Sequence, residues 1–154
     1  MIYGDTSFLI AVYRQGDSFH ATAIKLAAEL RQPIALTLLG ELELHNGVHR
    51  CLAAKIIDQR EHDAILRQIS DDEVDGILLR QAVDQVELYA HARNLSKKFT
   101  QEISARSLDI LHVAAARLLR ASPFISFDAK HRLLVQKTGS AGPRVSTQVE
   151  GSNH

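Results

Sequence analysis

One segment, Arg106-Ser-Leu-Asp-Ile-Leu-His-Val-Ala-Ala-Ala-Arg117, constrains the rest of the chain. It is Ala-rich, lacks Gly and Pro, and begins beside a serine, so it predicts a helix. Leu108, Ile110, Leu111, Val113 and Ala114–Ala116 make it apolar in nearly every direction, as a buried helix is. Asp109 nevertheless sits in its first turns. A buried carboxylate is costly unless it is paired, hydrogen-bonded or bound to a metal. The fold must therefore bring Asp109 a partner.

The surrounding sequence predicts strands alternating with helices. Met1–Gly4 is a strand, followed by a polar turn at Asp5–Ser7 and a short helix, Phe8–Tyr13. Ser18 caps a helix from Phe19 to about Leu30, and Ile34–Thr37 is a buried strand. A long helix runs from about Leu38 to Ala54 and carries Glu41 and Glu43, at some cost from Gly40 and Gly47. Asp58 caps a helix over Gln59–Ile69, and the acidic run Ser70–Gly76 reads as a turn. Ile77–Leu79 fits either a strand end or a helix start. A helix over about Ala82–Lys98 and a loop over Phe99–Ala105 lead into the segment around Asp109. Beyond it come a strand, Phe124–Phe127, a helix over Ala129–Gln136 with Asp128 as its cap, and a turn over Gly139–Pro143. Val145–Val149 is a candidate edge strand, and Gly151–His154 a frayed tail.

This alternation predicts an α/β fold with a mostly parallel sheet covered on both faces, in a single domain spanning 1–150. Such sheets bind ligands beyond the carboxyl ends of their strands, where Asp5 and Asp128 lie.

Composition narrows the function classes. The 154 residues carry 18 basic and 18 acidic side chains, so the whole molecule is not a basic nucleic-acid binder. Residues 1–89 hold 8 Lys and Arg against 14 Asp and Glu; residues 90–154 hold 10 against 4. That asymmetry permits a basic face beside an acidic centre, which suits a polyanionic substrate. No apolar run is long enough for a membrane span, no secretory signal is expected at the start, and the lone Cys51 forms no internal disulfide. These features lead to an expectation of a cytoplasmic protein, with Cys51 as a helix filler.

Four acids stand out: Asp5 and Asp128 at strand ends, Glu43 and Asp109 on apolar helices. Each has an ordinary alternative. Asp5 and Asp128 can cap helices, Glu43 can lie on an exposed face, and Asp109 can pair with Arg106. Taken together they form an oxygen-ligand set for a hard divalent cation, since clustered carboxylates repel one another and a cation relieves that. Helical periodicity does not choose between Glu41 and Glu43. Other constellations are weaker. His45 and His49 have the i,i+4 spacing of a zinc pair, but Asn46 stands where a metalloprotease needs Glu. His112 is expected to be a hydrogen-bonded core residue and His131 a surface residue.

Asp5-Thr-Ser, Glu43-Leu-His-Asn46, the segment around Asp109 and Phe124-Ile-Ser-Phe-Asp128 resemble the four blocks of the PIN-domain ribonucleases, in particular the VapC-type toxins of prokaryotic toxin–antitoxin systems. The resemblance runs in order from residue 1 to about 140. Ser126 replaces the usual Thr, and Gly4 replaces a larger apolar residue. The resemblance implies a three-layer α/β/α sandwich with a five-stranded, mostly parallel sheet. It selects Glu43 over Glu41 and implies that Asp5, Glu43, Asp109 and Asp128 bind Mg²⁺ or Mn²⁺ and that the activity is RNA cleavage. Thr6, Ser7, Arg106 and Ser126 are candidates for orienting a carboxylate or contacting phosphate, and Lys97, Lys98 and Lys130 for backbone phosphate contacts. The expected partners are RNA, a cognate antitoxin and a second copy of the chain. The competing expectation is a PIN-like module without catalysis that binds RNA or protein. Replacing Asp5 or Asp109 by Asn is expected to abolish cleavage with the fold intact.

Overall fold

A computed structural model describes residues 1–139. Its elements are β1 (Ile2–Gly4), α1 (Thr6–Tyr13), α2 (His20–Leu30), β2 (Ile34–Leu36), α3 (Leu38–Ala53) and α4 (Gln59–Val74). They continue with β3 (Leu78–Arg80), α5 (Gln85–Ile103), α6 (Ser107–Leu118), β4 (Phe124–Ile125) and α7 (Ala129–Lys137). The strands form one parallel sheet in the order β3-β2-β1-β4, with Ile2 opposite Ile34, Tyr3 opposite Phe124 and Ile34 opposite Leu78. Among the described residues the sheet has four strands where five were expected. The fifth, Val145–Val149, lies outside the described residues, as do most of the Gly139–Pro143 turn and the Gly151–His154 tail.

Alternation along the strands builds three layers. Ile2, Ile34 and Leu36 point to a core with Phe8, Leu9, Leu44, Val48 and Ile69, drawn from α1, α3 and α4. Tyr3 and Ala35 point the other way, to Leu88, Leu95, Val113, Ala114 and Leu134 from α5, α6 and α7. Successive strand residues face opposite sides, so three-residue strands are enough to floor both cores. Gly4 is needed for packing: a Cβ there would stand 2.5 Å from Cδ1 of Phe8, whose ring fills that space. Gly47 likewise lets α3 approach α1, since a Cβ would meet Ile10 Cδ1 at 2.7 Å. Cys51 is half-buried against the first core. Among the described residues no helix is long and apolar enough to cross a membrane.

Several boundaries differ from the sequence expectation. The run after Ile69 continues α4 as helix to Val74 instead of turning. Its acids find distant partners that local sequence does not reveal: Tyr13 O–H donates to Asp72 at 2.7 Å, and Arg80 Nε donates to Glu73 at 2.7 Å. Leu78–Arg80 becomes a strand because β2 offers it an edge. Helix α5 absorbs Phe99–Ile103, whose last residue is buried, and ends where Ser104 turns left-handed at φ 54°. Helix α1 starts two residues earlier than expected, because Asp5 is its cap. Helix α2 has Phe19 instead of Ser18 at its cap position. Strand β4 stops at Ile125.

Candidate active site at the carboxyl edge of the sheet

The carboxyl ends of β1 and β4 lie side by side, and the first turns of α1 and α7 begin there. Asp5 follows β1, and its backbone N–H still donates to Ile125 O at 3.1 Å. Its side chain is 1% exposed and caps α1, with Oδ1 accepting from Phe8 N–H at 3.0 Å and from Ser7 Oγ at 2.6 Å. Oδ2 accepts from Ser126 Oγ at 2.5 Å and from His131 Nδ1. The capping alternative for Asp5 is thus real, and it uses only one of the two oxygens.

Asp109 is not compensated by an Arg106 side chain. Oδ2 accepts from the Arg106 backbone N–H at 2.8 Å, which satisfies an otherwise unpaired donor at the start of α6. Oδ1 lies 3.1 Å from His131 Nε2, close enough for charge attraction but not aligned as a hydrogen bond, so that among the described residues this buried nitrogen has no hydrogen-bond partner. The helix is also less enclosed than its sequence implies. Leu108 and Arg117 are exposed, and the buried face is Ile110 with His112–Ala116. Ser107 is the first helical residue, and Arg106 occupies the cap position with its side chain exposed.

Asp128 caps α7, its Oδ1 accepting from Lys130 N–H at 2.7 Å and His131 N–H at 3.1 Å. Glu43 enters from α3. Its Oε2 accepts from Thr6 Oγ1 at 2.6 Å and from His112 Nε2 at 2.5 Å. His112 is 1% exposed; its Nε2 donates to the Glu43 carboxylate, and its Nδ1 lies 2.9 Å from the Tyr3 hydroxyl oxygen. His112 is thus the hydrogen-bonded core residue expected, and it also orients Glu43. Glu41 points elsewhere, into an ion pair with Arg80 at 2.7 Å.

His131 overturns the expectation of a surface residue. It is 6% exposed and stands between Asp5 and Asp109, three residues after Asp128 on the first turn of α7. Burial would lower its pKa, but the Asp5 carboxylate, with Asp109 and Asp128 behind it, outweighs burial and raises it. Burial would raise the Asp5 pKa, and the His131, Ser126 and Ser7 donors outweigh that and hold it below the usual carboxylate range. Glu43 is also lowered, chiefly by the hydrogen bond from His112, against burial. The expected acids are therefore brought together around His131: Asp5 and Asp109 in contact with its ring, Asp128 and Glu43 close enough to act on it electrostatically. The missed signal was spacing, since an Asp cap and a residue three positions on share a helix's first turn.

The candidate orienting hydroxyls are in place. Ser7 Oγ accepts from Phe127 N–H at 2.9 Å while donating to Asp5, and Ser126 Oγ accepts from Asp128 N–H at 2.9 Å while donating to Asp5. Both tie the loop after β4 to β1. Of the basic candidates, Lys130 Nζ is 3.5 Å from Ser104 O, while Lys97, Lys98 and Arg106 are exposed. His49 is hydrogen-bonded to His62, Nδ1 to Nε2 at 2.9 Å, across α3 and α4. Among the described residues no three His, Cys, Asp or Glu side chains are disposed as they stand to hold a metal ion. The donor chemistry still fits one. All four acids offer hard oxygens, and two of them, Asp5 and Asp109, flank one side chain, the His131 ring.

Residues 2–135 match the family described as PIN domain. A comparison with curated proteins gave no match. Among solved structures the chain is similar to VapC20 of Mycobacterium tuberculosis, a sarcin–ricin loop cleaving toxin. The two share 18% identity and a TM-score of 0.68, over 92% of this chain and 97% of that one. At that identity the likeness is one of fold.

Proposed function

The chain belongs to the PIN-domain family, and from that premise we propose that it is a Mg²⁺- or Mn²⁺-dependent endoribonuclease, the toxin of a toxin–antitoxin pair acting in the cytoplasm. The observation that carries this reading is the grouping of Asp5, Asp109, Asp128 and Glu43 around the buried His131 at the strand ends. Four carboxylates grouped at the strand ends are poor partners for a polyanion unless cations mediate. The same arrangement is what metal-assisted phosphodiester hydrolysis needs.

In this reading Asp5, Asp109 and Asp128 hold the cation, and Glu43 completes the set or orients water. A bound divalent ion supplies a more acidic water and stabilises charge on the phosphate and leaving oxygen. The protein's own residues keep the ligands aimed. Ser7 and Ser126 hold Asp5, Arg106 N–H holds Asp109, and His112 and Thr6 hold Glu43. The fold of a toxin neighbour and the family together support the antitoxin partner. The exposed Leu38, Leu42, Val86 and Tyr89, beside a cleft of about 360 Å³ between α3, α5 and α6, support a homodimer or another protein partner. Sedimentation that returns only monomer across the micromolar range would remove the homodimer.

The reading is tested with purified protein and an unstructured RNA. Cleavage should appear with Mg²⁺ or Mn²⁺, stop in excess EDTA and return when Mg²⁺ is restored. Equal cleavage in EDTA would sink the metal dependence. RNA binding without cleavage under any metal would favour the non-catalytic module.

A further inference from the structure

An open groove of about 580 Å³ begins at the acid site, where Thr6, Ser7 and Asp128 form part of its wall, and continues between α1, α3 and the start of α2. Phe19 and Phe127 line it. Their rings are stacked, with centroids 4.5 Å apart and planes within 7°, and Phe8 lies behind Phe127 at 6.1 Å. Phe127 is the residue immediately before Asp128, so this ring stack is anchored beside one of the candidate metal ligands. The exposed Arg50 lines the groove on α3. It is seven residues, or about 10 Å along the helix, beyond Glu43.

Local hydrogen bonds fix the backbone at Phe19. Asp17 Oδ1 accepts from Phe19 N–H at 2.9 Å, and Asp17 Oδ2 accepts from Arg14 at 2.6 Å. His20 Nδ1 then ties the following residue to Ala11 O at 2.7 Å. These contacts fix the backbone around a half-buried ring that packs against the edge of the first core and stacks on Phe127. Because Phe19 also lines the groove, it presents part of its ring there as a flat surface for another planar group.

We infer that Phe19, stacked on Phe127, is a nucleobase subsite. It takes an unpaired base next to the phosphate bound at the acids, while Arg50 contacts a neighbouring phosphate. This deepens the nuclease reading above and rests on it. An aromatic platform accepts any base, because every base has a π face. A base paired in an A-form helix cannot reach it without leaving its stack. The subsite therefore requires that the base it holds be unpaired. Charge supports a nucleotide as occupant over an apolar peptide: one end of the groove meets the cation-binding acids and its α3 wall carries a guanidinium.

The test uses the full chain with an unstructured oligoribonucleotide carrying one 2-aminopurine. Phe19→Leu keeps an apolar side chain and removes the π face; Phe19→Tyr keeps the face. The expected result is a KM about tenfold higher for Phe19→Leu with kcat within about twofold, and near-wild-type KM for Phe19→Tyr. In an Asp109→Asn background, which leaves the oligonucleotide intact, binding should quench the 2-aminopurine, and Phe19→Leu should remove the quenching. Wild-type KM in a folded Phe19→Leu variant overturns the subsite, as does equal cleavage of a blunt duplex. Should Phe19→Leu fail to fold, absence of quenching with Phe19 intact overturns it as well. If Phe19→Leu weakens capture of the antitoxin but not RNA cleavage, the groove belongs to a protein and the subsite is wrong. Cleavage without dependence on Phe19 removes only the subsite, whereas no RNA cleavage at all removes the nuclease reading with it.

Discussion

Asp109→Asn should lose RNA cleavage by at least about a hundredfold while melting within a few degrees of the wild type. The asymmetry follows from what each Asp109 oxygen does. Oδ2 accepts the Arg106 N–H, and an Asn carbonyl oxygen can accept the same bond. What is lost is the negative charge, worth about 0.3–1 kcal/mol at a helix N-terminus, and its unaligned attraction to His131 at 3.1 Å. Removing an anionic ligand should cost at least as much as the 10–100-fold typical of a supporting group around a metal. The measurement is cleavage rate across a Mg²⁺ titration, beside a thermal melt. Expression in a bacterial host should arrest growth for the wild type and not for the variant. Wild-type cleavage by Asp109→Asn would remove Asp109 from the site, and arrest persisting in an inactive variant would separate toxicity from nuclease activity.

Asp5→Asn should lose cleavage and much of the stability too. The sequence led to the same expectation for both acids, an intact fold. The structure separates them, because Asp5 is 1% exposed and accepts from Ser7, Phe8 N–H, Ser126 and His131. Asn replaces one of those acceptors by a donor and leaves His131 without its charged partner. Breaking a buried pair from one side costs about 3–5 kcal/mol, less what His131 recovers by shedding its proton. Against a typical stability of about 5–15 kcal/mol, a melting temperature lower by roughly 10 °C is expected. The pH dependence checks the cause. In EDTA, the lowered Asp5 pKa contributes stability that is complete above its ordinary value of 3.8 and lost as pH falls through the folded-state value. The raised His131 pKa contributes stability that is complete below 6.5 and lost as pH rises through the folded-state value. Metal-free wild type should therefore be most stable between those two values, and Asp5→Asn should flatten both limbs. A melt of Asp5→Asn that matches the wild type from pH 4 to pH 8 would show the pair to be energetically idle.

The two acids look alike in the sequence because each is a carboxylate at the head of an apolar helix. Depth separates them, and depth is a property of the assembled layers. The same reason explains His131. On α7 alone its neighbours Lys130 and Arg132 make it look like surface, yet the first turn of α7 is laid across the end of β1, where Asp5 waits. Glu41 and Glu43 could not be told apart by periodicity; Arg80, from β3, takes Glu41 away from the site.

By itself the sequence determined the alternation of elements, the parallel sheet with both faces covered, the acids at the ends of β1 and β4, and the oddity of Asp109 on an apolar helix. Those features rest on composition and periodicity, which are local and survive in a one-dimensional reading. Only the tertiary structure decided which group answers that oddity. Arg106 answers with its backbone N–H instead of its guanidinium, and His131, twenty-two residues away, brings its ring to the other carboxylate oxygen. A partner contributed by another element costs the chain nothing in local pattern, so it leaves no mark there. It exists only once β1, α6 and α7 meet at one edge of the sheet.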